Sequence, residues 1–354
     1  MIHFVLLIAC AAAIYVACEW FVNAVEWLGH RLRVGPLAVG TILAAFGTAL
    51  PESVVTFVAV VFGTTASQKN IGVGAAMGGP LVLATIAYGV TGWMMLARRR
   101  RAQVYPDAML RVGGPAASTP ATRPAQAPRD NLGDLGKLAR DQRWFLAIFA
   151  VKVALGLVAF AIKPWLGLLF FAAYGVYFWR EIRADGGSAD DEDLRPLRLQ
   201  HGRPQPATWA VAIQTVVTIT VIFAASQLFV HQLEVIGPIL GLPAAVTALL
   251  LSPIATELPE IMNAIIWVRQ GKTRLALANI SGAMMIQATV PSGLGLLFTP
   301  WRFGTALLIS GLTTMVAIGY LLILLRTGRF TARTLSLVVL PYLAFAICLI
   351  PMLA

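Results

Sequence analysis

Charge is scarce in this chain. Only 12% of its 354 residues are Asp, Glu, Lys or Arg, against 58% hydrophobic. With a mean hydropathy of +0.78, so much apolar surface cannot be hidden in a soluble domain and needs lipid as its solvent. Acidic residues are scarcer than basic ones, 16 against 27, for a net charge of +11. That excess does not point to nucleic acid, because Arg and Lys fall between apolar runs, where they orient a membrane protein. Cysteine is nearly absent: Cys10, Cys18 and Cys348 lie inside apolar runs, without metal spacing, and read as buried small hydrophobes. The four histidines, His3, His30, His201 and His231, are scattered and form no metal cluster. The start, Met1-Ile2-His3, has no basic leader. Ser–His pairing, His-x-x-x-His and a Gly-rich phosphate loop are all missing, so an intramembrane enzyme using Glu257 and Glu260 as acid and base would lack its remaining machinery. No enzyme activity and no cofactor are expected.

What is present is apolar runs of bilayer length. A span needs about 20 apolar residues, and runs occur near 2–22, 36–63, 70–97, 143–161, 164–180, 208–231, 241–268, 274–299, 303–325 and 333–353. Basic residues cluster after every odd-numbered run: Arg31 and Arg33, Arg98 to Arg101, Arg183 to Arg203, Arg269 to Arg274, and Arg326 to Arg333. The other loops carry only Lys69, Lys163 and Arg302. The positive-inside rule makes the odd exits cytoplasmic and puts both termini outside. The expectation is an all-α polytopic membrane protein with ten transmembrane helices, five plus five. It divides into 1–97 (spans one to three), a cytoplasmic Pro/Arg-rich linker at 98–142, 143–180 (spans four and five), a charged cytoplasmic loop at 181–207, and 208–354 (spans six to ten). The acidic run Asp190-Asp191-Glu192-Asp193 reads as part of a solvated linker.

Two stretches are near copies. Gly47-Thr48-Ala49-Leu50-Pro51-Glu52 and Ala255-Thr256-Glu257-Leu258-Pro259-Glu260 align at an offset of 208 residues. The same offset places Phe21-Val22 on Phe229-Val230, Glu26 on Glu234, Gly29 on Gly237 and Leu32 on Leu240. Because each copy has five spans, the second enters the membrane inverted, the arrangement alternating access uses. Pro51 and Pro259 lack an N–H and clash one turn back, so each is expected to break its helix and free a carbonyl. A charge at bilayer depth costs roughly 2.5–3.5 kcal/mol on insertion scales, so Glu52, Glu257 and Glu260 are read as functional. Carboxylates, Thr hydroxyls and freed carbonyls are oxygen ligands suited to Na⁺ and Ca²⁺. Glu19 at membrane depth, and Glu26 with its counterpart Glu234 nearer the span ends, are weaker candidates.

The paired motif resembles the two alpha-repeats of the cation/calcium exchanger superfamily, the sodium/calcium exchangers and their prokaryotic relatives. The resemblance implies ten helices, with the second, third, seventh and eighth around cation sites at the midplane and the first and sixth as a sliding pair. It carries the site onto Thr48, Glu52, Thr256 and Glu260. The serine after each threonine is replaced by Ala49 and by Glu257, and a later Asn or Asp by Gln287. Ser252 and Asn279 are subsidiary candidates. Allowing a two-residue insertion in the preceding loop, the first repeat has Val73, Ala76, Gly78 and Leu81 where polar ligands are expected. Close glutamates repel, so at least one is expected to hold a proton or share a cation.

The resulting expectation is a secondary cation antiporter in a prokaryotic plasma (inner) membrane, exchanging Ca²⁺ or another cation against Na⁺ or H⁺. Na⁺/H⁺ exchange on the same fold and an inactive scaffold remain open. Its partners are inorganic cations and the lipid bilayer, and the oligomeric state is unknown.

Overall fold

The structure is a computed structural model that describes residues 2–31, 49–111, 135–184, 196–203 and 205–353. Ten helical units follow one another among the described residues, with no strand. They are α1 (Ile2–Arg31), α2 (Ala49–Phe62), α3 (Ala66–Val82, Leu83–Ala87 and Tyr88–Arg111), α4 (Leu135–Leu157) and α5 (Gly167–Ala184). The second set is α6 (Thr208–Ile239), α7 (Ala244–Thr256 and Leu258–Arg269), α8 (Thr273–Phe298), α9 (Thr305–Arg326) and α10 (Ala332–Ser336, Leu337–Val339 and Leu340–Leu353). Seven are long and apolar enough to cross a bilayer by length and composition alone.

The elements differ from the sequence expectation mainly at their polar ends. α3 runs on to Arg111, and α4 starts at Leu135 instead of near 143. Arg, Ala, Leu and Met are strong helix formers, so a helix continues where hydropathy stops. Thr48, Gly47, the middle of the Pro-rich segment and the acidic run 190–193 lie outside the described residues.

Packing is two-fold in pattern. Three contacts each have a partner five elements along the chain: α8 with α5 and α3 with α10, α8 with α4 and α3 with α9, α8 with α7 and α3 with α2. α1 and α6 pack together and run antiparallel. His3 Nδ1 meets Gln232 Oε1 at 2.8 Å at one end, and Gln214 Nε2 donates to Trp20 O at 2.8 Å near the other. By contrast α3 and α7 run parallel, because Gly74 abuts Ala245 and Gly78 abuts Leu249 and Pro253. A Cβ at Gly74 would come 2.0 Å from Ala245 O, and one at Gly78 would come 2.6 Å from Leu249 O. Bare backbone at these two positions permits the crossing.

Three apolar clusters result. The largest joins α3, α4, α7, α8, α9 and α10. A second joins α1, α2, the start of α3, α6 and Ala248 of α7. The smallest packs Ala24 and Trp27 of α1 against Leu197, Ala210 and Val211. α6 shows what its solvent is. Trp209, Ile213, Val216, Val217 and Ile219 face outward, whereas Gln214, Thr218, Ser226 and Gln232 are buried. Apolar side chains outside and polar ones inside suit a helix in lipid.

The connections are short where they matter. Only Leu240 to Pro243 separate α6 from α7, and Gly241 takes φ +68, a conformation that favours glycine. Trp301, after α8, also has positive φ (45) while fully buried. Thr299 Oγ1 accepts from its N–H at 3.1 Å, and its ring packs where Gly295 has no side chain. Its indole N–H donates to Lys152 O at 3.2 Å, which pins α4.

Candidate cation site

The site begins with a helix break. Pro259 has no N–H to give to Ala255, and α7 stops at Thr256 and resumes at Leu258, with Glu257 between the halves at φ −95, ψ −5. The break keeps some bonding: Glu257 N donates to Pro253 O at 2.9 Å, and Ile261 N donates to Glu257 O at 3.2 Å. It also turns the Glu257 side chain inward. Glu52, Ser252, Glu257, Glu260 and Gln287 are fully buried and Thr256 nearly so.

Thr256 links the two repeats. Its Oγ1 donates to Glu52 Oε2 at 2.6 Å, and it also lies 3.1 Å from Ser252 O and 3.3 Å from Glu257 Oε1. A hydroxyl has one proton, so the shortest contact holds it and the other oxygens gather around the same atom. Glu257 in turn accepts from Gln287 Nε2 through both oxygens, at 2.8 and 2.9 Å. Gly79 of α3 closes the far side, since a Cβ there would sit 2.7 Å from Gln287 Oε1 and 2.9 Å from Glu257 Oε1. Among the described residues, Glu52 Oε1 and Gln287 Oε1 receive no hydrogen bond. Buried oxygens without donors are acceptors open to a cation.

Of the residues chosen from sequence, Glu52, Thr256, Glu257 and Gln287 therefore come together, with Ser252 beside them. Glu260 is equally buried, in the first turn of the second half of α7. Among the described residues no three His, Cys, Asp or Glu side chains form a metal cluster. Asn279 is half-buried and about 12 Å along α8 from Gln287, at 1.5 Å rise per residue. Thr48 is outside the described residues. Glu19 is exposed and bonded by Tyr15 Oη at 2.8 Å. Glu234 accepts from Thr65 Oγ1 and Gln68 Nε2, both at 2.9 Å, and so ties α6 to the turn before α3.

One residue escaped the sequence reading. Lys152, inside an apolar run, is fully buried on α4, and its Nζ donates to Ala76 O at 2.8 Å. It lies 4.7 Å from the Phe149 ring. An ammonium deep in an apolar run was the available signal.

A profile of the sodium/calcium exchanger protein family matches residues 2–182 and 210–350. The chain belongs to that family. Its fold is that of ion exchangers, and it is an integral membrane protein, not an enzyme. It is 23% identical over 296 residues to the inner membrane protein YrbG of Escherichia coli (strain K12), covering 83% of this chain and 79% of that protein. The H⁺/Ca²⁺ exchanger CAX superposes with a TM-score of 0.66 at 16% identity, covering 98% of this chain and 86% of CAX. The sodium–calcium exchanger NCX_Mj superposes with a TM-score of 0.56 at 15% identity, covering 98% of each. Family and fold thus agree, while identities this low leave the transported ion to the site itself.

Proposed function

We propose that this family member is a secondary active antiporter that exchanges Ca²⁺ against Na⁺ or H⁺ by alternating access. The observation that carries the reading is the single hydroxyl of Thr256, which draws together Glu52 from one repeat and Glu257 from the other. Two buried carboxylates repel strongly in a medium of low dielectric. A divalent cation relieves that repulsion, and so do protons or Na⁺ in its place, which is the competition an antiporter requires. Glu52, Thr256, Glu257 and Gln287 are the proposed ligands, with Glu260 buried one turn further along α7. The proposed orientation puts the face holding Arg98 and the α7–α8 turn in the cytoplasm and both termini outside. The membrane is then a prokaryotic plasma membrane.

Na⁺/H⁺ exchange on the same fold is a second reading with its own support. Val73, Ala76 and Leu81 are buried and apolar on the first-repeat side, which leaves few oxygens for a large shell. Proteoliposomes separate the two. Uptake of ⁴⁵Ca²⁺ driven by an outward Na⁺ or H⁺ gradient, lost in Glu257→Gln, is the expected result. Na⁺-driven pH change without Ca²⁺ movement would favour the second reading. Silence for all of these ions would refute both.

A further inference from the structure

A lysine completes a helix that a proline leaves one bond short. Pro80 lies inside α3, and without an N–H it cannot close its turn onto the carbonyl four residues back, Ala76 O. The same turn contains Gly78 and Gly79, and glycine is, after proline, the weakest helix former. Ala76, Gly78, Gly79 and Pro80 are all buried, so water does not supply the missing donor. A buried carbonyl without a donor is costly, and a proline beside a glycine pair is where a helix kinks. Such a turn opens unless something holds it.

Lys152 holds it. Its side chain crosses from α4, and Nζ donates to Ala76 O at 2.8 Å, within the range of a good N–H···O bond. The lysine is itself firmly seated. It is fully buried, with the Phe149 ring 4.7 Å from Nζ, and its own carbonyl accepts from the Trp301 indole at 3.2 Å. The next residue, Val153, and Met77 of α3 both pack against Gly311 of α9. α4 and α9 thus form a platform from which one N–H reaches across to α3.

The braced turn is a wall of the cation site. Gly79 faces Gln287 and Glu257, whose Oε1 atoms lie 2.7 and 2.9 Å from where its Cβ would be. Gly78 abuts Leu249 O and Pro253 of α7. A bend at Pro80 would shift both glycines, and with them the surface that Glu257 and Gln287 rest on.

We propose that Lys152 is a positioning residue for the cation site: its Nζ takes the place of the amide hydrogen that Pro80 lacks, and so fixes the Gly78–Gly79 turn against Glu257 and Gln287. This rests on the antiporter reading of that site and adds a residue that touches no ion. The role requires a donor on Ala76 O and no charged partner.

A double-mutant cycle with Pro80→Ala tests this, because alanine returns an amide N–H to Ala76 O. ⁴⁵Ca²⁺ affinity and thermal unfolding are measured on the purified full-length protein. Lys152→Met alone is expected to weaken Ca²⁺ binding about tenfold and to lower the midpoint. Pro80→Ala/Lys152→Met is expected to bind Ca²⁺ within about twofold of Pro80→Ala, with most of the midpoint drop gone. Equal losses with and without Pro80 would overturn the proposal, since a lysine needed for its charge or bulk is not replaced by an amide on another helix. Coupled midpoints with uncoupled Ca²⁺ affinities would also overturn it, leaving Lys152 a packing residue with no effect on the site. If Lys152→Met does not fold, recovery of folding in the double variant supports the exchange of donors, and failure of both overturns it. If the wild type binds no Ca²⁺, the antiporter reading fails, while the thermal cycle still decides whether Lys152 stands in for the amide of Pro80.

Discussion

Replacing Gly79 by alanine separates site geometry from fold stability. The added Cβ would lie 2.7 Å from Gln287 Oε1 and 2.9 Å from Glu257 Oε1, and both atoms are ends of side chains, not backbone. The fold can therefore accept the methyl by moving Gln287 and Glu257 by several tenths of an ångström. That movement strains the two bonds from Gln287 Nε2 to Glu257. A hydrogen bond to a charged group contributes about 1.5–3 kcal/mol, which corresponds to a roughly 10- to 100-fold loss of cation affinity. Stability moves the other way, because alanine is favoured over glycine inside a helix by about 1 kcal/mol. Gly79→Ala should thus keep or slightly raise its unfolding midpoint while ⁴⁵Ca²⁺ binding and uptake fall. One residue earlier the opposite holds: a Cβ at Gly78 meets Leu249 O and Pro253, which are fixed in α7, so Gly78→Ala should unfold more easily. Binding at wild-type affinity in Gly79→Ala would refute the placement of Glu257 and Gln287 against α3.

Three further changes test other parts of the structure. Thr256→Val removes the donor to Glu52 and should weaken Ca²⁺ binding by about 10- to 100-fold, with Thr256→Ser restoring it; equal binding in the valine variant would show that the hydroxyl is not the link. Glu234→Ala removes the acceptor for Thr65 and Gln68, and amide exchange across 63–70 should speed up about tenfold, whereas unchanged protection would mean the tie is not stabilising. Trp301→Ala opens a cavity beside Gly295 and should cost about 3–5 kcal/mol, visible as a lowered thermal midpoint; a midpoint close to wild type would contradict its role as a packed wedge.

The sequence carried the architecture further than the site. Repeated motifs at a fixed offset, with an odd number of spans in each copy, already implied inversion, and the antiparallel pairing of α1 with α6 agrees with it. Helix ends were less legible, because hydropathy marks where lipid stops, and backbone geometry in α3 continues past Arg100 into a polar helix. Within the site, Pro259 announced a broken helix, but the direction of Glu257 depends on the φ and ψ of the break and on Gln287 arriving from α8. In the sequence Glu260 was the motif match to Glu52 and Glu257 a replaced serine, yet in the structure Glu257 is the one that meets Glu52 through Thr256. Lys152 was visible as a charge in an apolar run. Its anchor on the Ala76 carbonyl was not, because that depends on α4 crossing α3.

The turn between α6 and α7 has a mechanical consequence. Leu240 to Pro243 is all that joins them, and it is stiffened by Leu242 N donating to Gly237 O at 2.9 Å. A linker so short has no slack. If α1 and α6 shift as a pair along their separate apolar seam, α7 is pulled at its first residue, and the weakest point along α7 is the break at Glu257. The carrier would then be geared: displacement at the rim becomes rotation at the carboxylate, and the distance travelled is limited by how far one broken helix can bend.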